Sequence, residues 1–166
     1  MLLALCSVLG CQRGDPAYAP GVSDGPRAVE GRDGPDPAKA EIWEHFSRVD
    51  DFEVIGSFPS RGHGTGRWDA EVRGSQGAGA AIAALIGPTS RMPEGSVLVQ
   101  RHTQRQGGVD LGLFAMEKRG AGYFPAGGDW EYVVVGRDGR VEARGKLESC
   151  ARCHAEAPVD FVFAPP

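Results

Sequence analysis

Two thiols and an imidazole stand together near the end of the chain, in Cys150-Ala151-Arg152-Cys153-His154. Cysteines separated by two residues project from one helical turn, and the histidine follows directly. C-x-x-C-H is the attachment sequence of a c-type haem. The two thiols add across the two vinyl groups, and the imidazole is delivered to an axial position of the iron. Two other chemistries use part of the same pattern. A structural or redox disulfide needs only the C-x-x-C. A zinc site needs about four ligands and would have to recruit His63 and His102, because Cys6 lies in a targeting segment and Cys11 directly after it.

That segment is Met1–Gly10, MLLALCSVLG, too short to span a bilayer but suited to the apolar region of a secretory signal. Val8-Leu9-Gly10-Cys11 resembles the lipobox of bacterial lipoproteins, in which the cysteine is acylated. No Lys or Arg precedes the apolar run, a departure from that pattern. The expectation is export to the periplasm or another extracytoplasmic space, with lipidation at Cys11 as the one membrane attachment. Export agrees with haem, since c-type maturation takes place outside the bacterial cytoplasm. Residues 11–39 are poor in large apolar side chains and read as a flexible tether.

The elements that must position the motif lie in residues 40–166, read as one domain. Hydrophobic residues make up 41% of the 166-residue chain, enough for a packed core. The formal charge of −4 argues against a nucleic-acid binder, which usually carries a basic stripe. Asp36-Pro37 predicts a helix start, with Ile42, Trp43 and Phe46 as its apolar face up to Arg48. Strands are expected over 52–58, 67–73, 96–103, 111–118, 129–135 and 140–145, with a short helix over 77–86. Ser60–Gly66 reads as a glycine-rich turn and Asp138-Gly139 as a hairpin turn. The fold class is therefore α+β: an antiparallel β-sheet with a few helices and a c-type haem attached near the C-terminus. Trp130 and Tyr132 are expected in the core. Arg101, Arg105, Arg119 and Arg137 are expected on solvated faces.

The position of the motif discriminates among haem proteins. Few residues follow His154 and none is Met, unlike small electron carriers with an early motif and a later axial Met. With the motif on the page, the ordered set Pro93-Glu94-Gly95-Ser96-Val97-Leu98-Val99, Phe124-Pro125 through Gly128-Asp129-Trp130-Glu131-Tyr132, Cys150–His154 and Asp160-Phe161-Val162-Phe163 resembles the cytochrome P-460 and cytochrome c′-beta family. The Gly62-His63-Gly64 turn adds to the likeness, which runs from about Ala40 to Pro166.

The resemblance implies a periplasmic, predominantly β and often homodimeric haem protein. One covalent haem c would be held by Cys150, Cys153 and His154, with His154 the iron ligand and the other side open to a small gaseous or nitrogenous ligand. The P-460 branch oxidises hydroxylamine and carries a lysine–haem cross-link; the c′-beta branch lacks the link and binds nitric oxide. Here Gln100 stands where the cross-linking lysine is expected, and an amide has no amine nucleophile. Phe114 falls where an oxidation-competent member can carry a carboxylate base. Both are assigned to the cofactor pocket, and no catalytic residue is named. The remaining readings are a hydroxylamine oxidase, a six-coordinate electron carrier serving a redox partner protein (Met92, Met116, His63 or His102 as sixth ligand), and a haemless lipoprotein binding module. Strand alternation puts Leu98 and His102 on the face of Gln100, with His102 expected at a pocket rim or a subunit contact. Asp160 is expected to set a turn, and Phe161–Phe163 either to line the haem or to close the core.

Overall fold

Alternation of apolar residues decides the architecture, because each strand must serve two faces. A computed structural model describes residues 41–60 and 68–164. A 3-10 helix, Phe46–Asp51, precedes β1 (Glu53–Pro59) and β2 (Trp68–Gly74); α1 (Ala78–Ala83) leads to β3 (Val97–Gln104) and β4 (Asp110–Lys118). A 3-10 turn, Pro125–Gly127, then introduces β5 (Trp130–Val135), β6 (Val141–Gly145) and α2 (Glu148–His154). The strands form one six-stranded sheet in chain order, and each pair is antiparallel. The expected antiparallel sheet with a few helices is what the chain forms. Cys6, Cys11, the tether and the Gly62-His63-Gly64 turn lie outside the described residues.

The helix expected up to Arg48 is corrected. Its first residues fall outside the described range, and Ile42 instead forms an antiparallel bridge with Arg140. Trp43 donates its N–H to the Gly139 carbonyl at 2.9 Å, and Val141 donates to Glu41 at 2.9 Å. Those bonds hold 41–43 extended against the β5–β6 hairpin, and only the 3-10 turn after it is helical. Gly139 sits at φ +83°, and a Cβ there would lie 2.5 Å from the Phe46 ring. The hairpin therefore needs glycine for its backbone angle and for the packing of Phe46.

One face of the sheet is aliphatic. Val97 and Val99 of β3, Leu113 and Ala115 of β4, Val133 and Val135 of β5 and Val141 of β6 are buried beneath Trp43 and Val49, with Phe46 and Phe52 at the margin. Full burial of such side chains contributes about 1.5–3 kcal/mol each. The opposite face holds Leu98, Met116, Trp130 and Tyr132, covered by Ala78 of α1, Ala151 of α2, Met92 and Val162.

Candidate functional site

Register fixes the second face as a ladder of rows. Lys118 pairs with Trp130. The next row is Gly74, Leu98, Met116, Tyr132 and Gly145, and the one after it is Val72, Gln100, Phe114, Val134 and Ala143. Beyond that, Ala70 pairs with His102. Successive rows are two residues, about 7 Å, apart. Val72, Gln100 and Phe114 are only half-buried, whereas Val99 and Val133 behind them are closed in.

Helix α2 docks at the Tyr132 end of this ladder. Its Glu148 lies in the first turn and Arg152 in the last, each charge matched to the helix dipole, and the neutral His154 closes the helix. Ala151 is buried, Cys150 half-buried and Cys153 exposed, so the thiols flank the residue that packs the helix down. Both cysteines are free thiols. Burial pushes the Cys150 thiol above its ordinary range, against a smaller lowering by its hydrogen bond with Ser149.

His154 is held on three sides. Its Nδ1 lies 2.8 Å from the carbonyl oxygen of Phe161. A carbonyl only accepts, so Nδ1 carries the proton and Nε2 keeps its lone pair. The ring lies 5.5 Å from that of Tyr132 and 5.7 Å from that of Phe163. Burial lowers the imidazole pKa, and the bond to Phe161 opposes that only in part. The ring is thus kept neutral, with the proton on Nδ1 and the lone pair on Nε2.

The Phe161 carbonyl reaches Nδ1 because Asp160 and Phe161 both adopt left-handed backbone angles, φ 48° and 63°. Such angles cost about 1 kcal/mol or more at non-glycine residues and persist only where the surroundings impose them. The side chain of Asp160 is fully buried and bonds Lys118 Nζ at 2.6 Å. Its other oxygen accepts the Met92 N–H at 2.7 Å, and its backbone carbonyl accepts the Trp130 indole N–H at 2.8 Å. Lys118 also donates to the Gly128 carbonyl at 2.7 Å and lies over the Trp130 ring. A Cβ at Gly128 would sit 2.4 Å from the Phe161 ring. Asp160 thus sets the turn as expected. Phe161 and the half-exposed Phe163 lie by the imidazole, while Val162 closes the core.

Gln100 and Phe114 pair across β3 and β4 on the α2 side of the sheet. His102 shares that face but is corrected from a rim position: it is 1% exposed and packs edge-on against Phe114, ring centroids 5.2 Å apart. Met92 and Met116 are buried core residues. Trp130 and Tyr132 are core residues, as expected. Three of the four arginines are ion-paired rather than simply solvated: Arg101 with Asp50, Arg105 with Asp69, and Arg119 with Glu117 and Glu131. Arg137 is exposed.

Lys118 was missed as part of the site. It follows Phe114 and Met116 in the inward phase of β4, where a charge needs a buried partner. That phase was the available signal. Among the described residues, the group whose potential ligand atoms converge within 4.8 Å is Glu44, His45 and Glu117, not the cysteines. Both Glu44 oxygens are engaged by Arg144, at 2.9 and 2.7 Å. Two thiols on one helix with a tautomer-locked imidazole fit a covalent haem better than a closed tetrahedral metal. In comparisons with known proteins, no protein-family model and no curated protein matches this chain.

Proposed function

We propose that the domain carries one c-type haem bound through Cys150 and Cys153, with His154 Nε2 as its axial ligand, and takes up nitric oxide or a related small nitrogen species. The observation that carries this reading is the His154–Phe161 hydrogen bond, which sets the tautomer with its lone pair on Nε2, in a helix that also carries two free thiols. When bound, the haem supplies an iron with an open position for a diatomic ligand. The chain supplies the rest. Tyr132 and Phe163 steady the imidazole plane, and Phe114 and Val72 give the neighbouring row an apolar wall. Such a wall favours a neutral diatomic over water or an anion. Gln100 offers an amide but no amine, so no third covalent link forms at this position, and hydroxylamine oxidation is expected to be poor. Export, a lipid anchor at Cys11 and a homodimer belong to the same reading.

A pyridine haemochrome spectrum of protein made with c-type maturation factors tests the cofactor, and its absence would end the reading. Spectra of the ferrous protein with and without nitric oxide test the open position. Rapid hydroxylamine turnover, or a haem-linked peptide beyond 150–154, would favour the oxidase instead. The buried placement of His102 on this face favours a second reading, a six-coordinate electron carrier. A low-spin ferrous spectrum that becomes high-spin in His102→Ala would establish it.

A further inference from the structure

We infer that Lys118, acting through Asp160, is the positioning residue for the His154 imidazole, an inference that rests on the haem reading above. Lys118 and Asp160 are 42 residues apart in sequence and form a buried pair, with side-chain exposures of 7% and 0%. A single peptide unit joins the anchored residue, Asp160, to the Phe161 carbonyl that meets Nδ1. Displacing the carboxylate therefore displaces the carbonyl. The same ammonium also binds Gly128, the residue on which the Phe161 ring rests. Lys118 thus grips Phe161 from both sides: the residue before it in the chain and the surface beneath its ring.

A pair needed only for stability could be replaced by neutral groups without further consequence. This pair holds two left-handed residues in the one arrangement that presents a carbonyl to the imidazole. Loss of that bond frees the ring to rotate and lowers the basicity of its ligating nitrogen, which destabilises the ferric form.

The test uses mature holoprotein carrying Lys118→Met/Asp160→Asn, which removes one positive and one negative charge and leaves the net charge unchanged. The expected result is a covalent haem band as in wild type, an iron–histidine stretching band that moves to lower frequency and broadens, and a more positive reduction potential. Asp160→Asn alone, nearly isosteric, takes the counter-charge from Lys118 and should move the stretching band in the same direction. It carries the test if the double variant yields no holoprotein. Arg91→Gln, which removes a largely exposed guanidinium 3.5 Å from Asp160, should leave the band in place. An unchanged stretching band and potential in variants with normal covalent haem would overturn this inference alone. A wild type without covalent haem would overturn the proposed function, and this inference with it.

Discussion

The two faces of the sheet are built from the same strands and use opposite chemistry. In β4, Leu113 and Ala115 enter the aliphatic face, while Phe114, Met116 and Lys118 enter the other. The first face closes on Trp43 and Val49, and the one carboxylate it buries, Glu131, is answered at its edge by the more exposed Arg119 and Arg144. The second buries Lys118, Asp160 and His102, and beside it two consecutive residues, Asp160 and Phe161, take left-handed backbone angles without glycine. Buried charge and imposed backbone angles are costly, and they concentrate where a protein positions a group for chemistry. The first face holds the sheet together; the second holds His154.

Separating the two functions by mutation gives the largest expected effects. Cys150→Ser with Cys153→Ser should abolish the covalent haem band while the far-ultraviolet circular dichroism of the sheet persists. Loss of the sheet signal as well would show that the faces are not independent. Trp43→Ala should do the reverse. It removes the largest side chain over the aliphatic face and should destabilise the fold by about 3–5 kcal/mol in urea denaturation. The haem spectrum of the remaining folded protein should be unchanged, and an altered spectrum would couple the faces.

The strands were legible from short apolar runs bounded by turn residues: β2 alternates Trp68, Ala70 and Val72, whereas β3 and β5 carry the unbroken runs Val97–Val99 and Val133–Val135. The Cys150–His154 candidate cluster stood out because its residues are adjacent in sequence. What was illegible depended on distant partners. Ile42, Trp43 and Phe46 have helical spacing, yet hydrogen bonds to the β5–β6 hairpin hold 41–43 extended. The Lys118–Asp160 pairing joins a strand end to the C-terminal tail, and nothing local in either segment names the other. His102 was placed on the right face by alternation, but its depth depended on how Phe114 packs against it.

A smaller effect sharpens the second face alone. Phe114→Ala should enlarge the row beside Gln100 and change nitric oxide affinity by roughly tenfold, the scale of about 1.4 kcal/mol for a lost apolar contact. Stopped-flow association and dissociation rates of the ferrous protein measure it. An affinity within error of wild type would mean that Phe114 does not border the bound ligand.

The smallest effect belongs to the margin of the aliphatic face. Arg144 bonds both oxygens of Glu44 and reaches Glu131 at 3.1 Å. Its hydrogen bonds hold the Glu44 carboxyl below the ordinary 4.5 despite some burial. Burial pushes Glu131 upward, but hydrogen bonds from Arg144 and Arg119 outweigh it and leave its carboxyl lowered too. With folded pKa values below the unfolded ones, the unfolded chain binds more protons as the pH falls through this window. The stabilisation is therefore present above about pH 4.5 and is lost as the pH drops through the lowered folded values. Glu44 is about half exposed, with 47% of its side chain accessible, so solvent screens its share. Glu131 keeps Arg119 when Arg144 is removed. Arg144→Met should then cost only about 1 kcal/mol at neutral pH, within the range for partly exposed ion pairs. Urea denaturation at pH 7 and pH 3 should show the difference from wild type shrinking in acid, as the pH falls toward the lowered folded values and the carboxylates begin to take up protons. An equal difference at both pH values would assign the loss to packing of the arginine stem against β5, and the margin would then belong to the aliphatic core rather than to its charges.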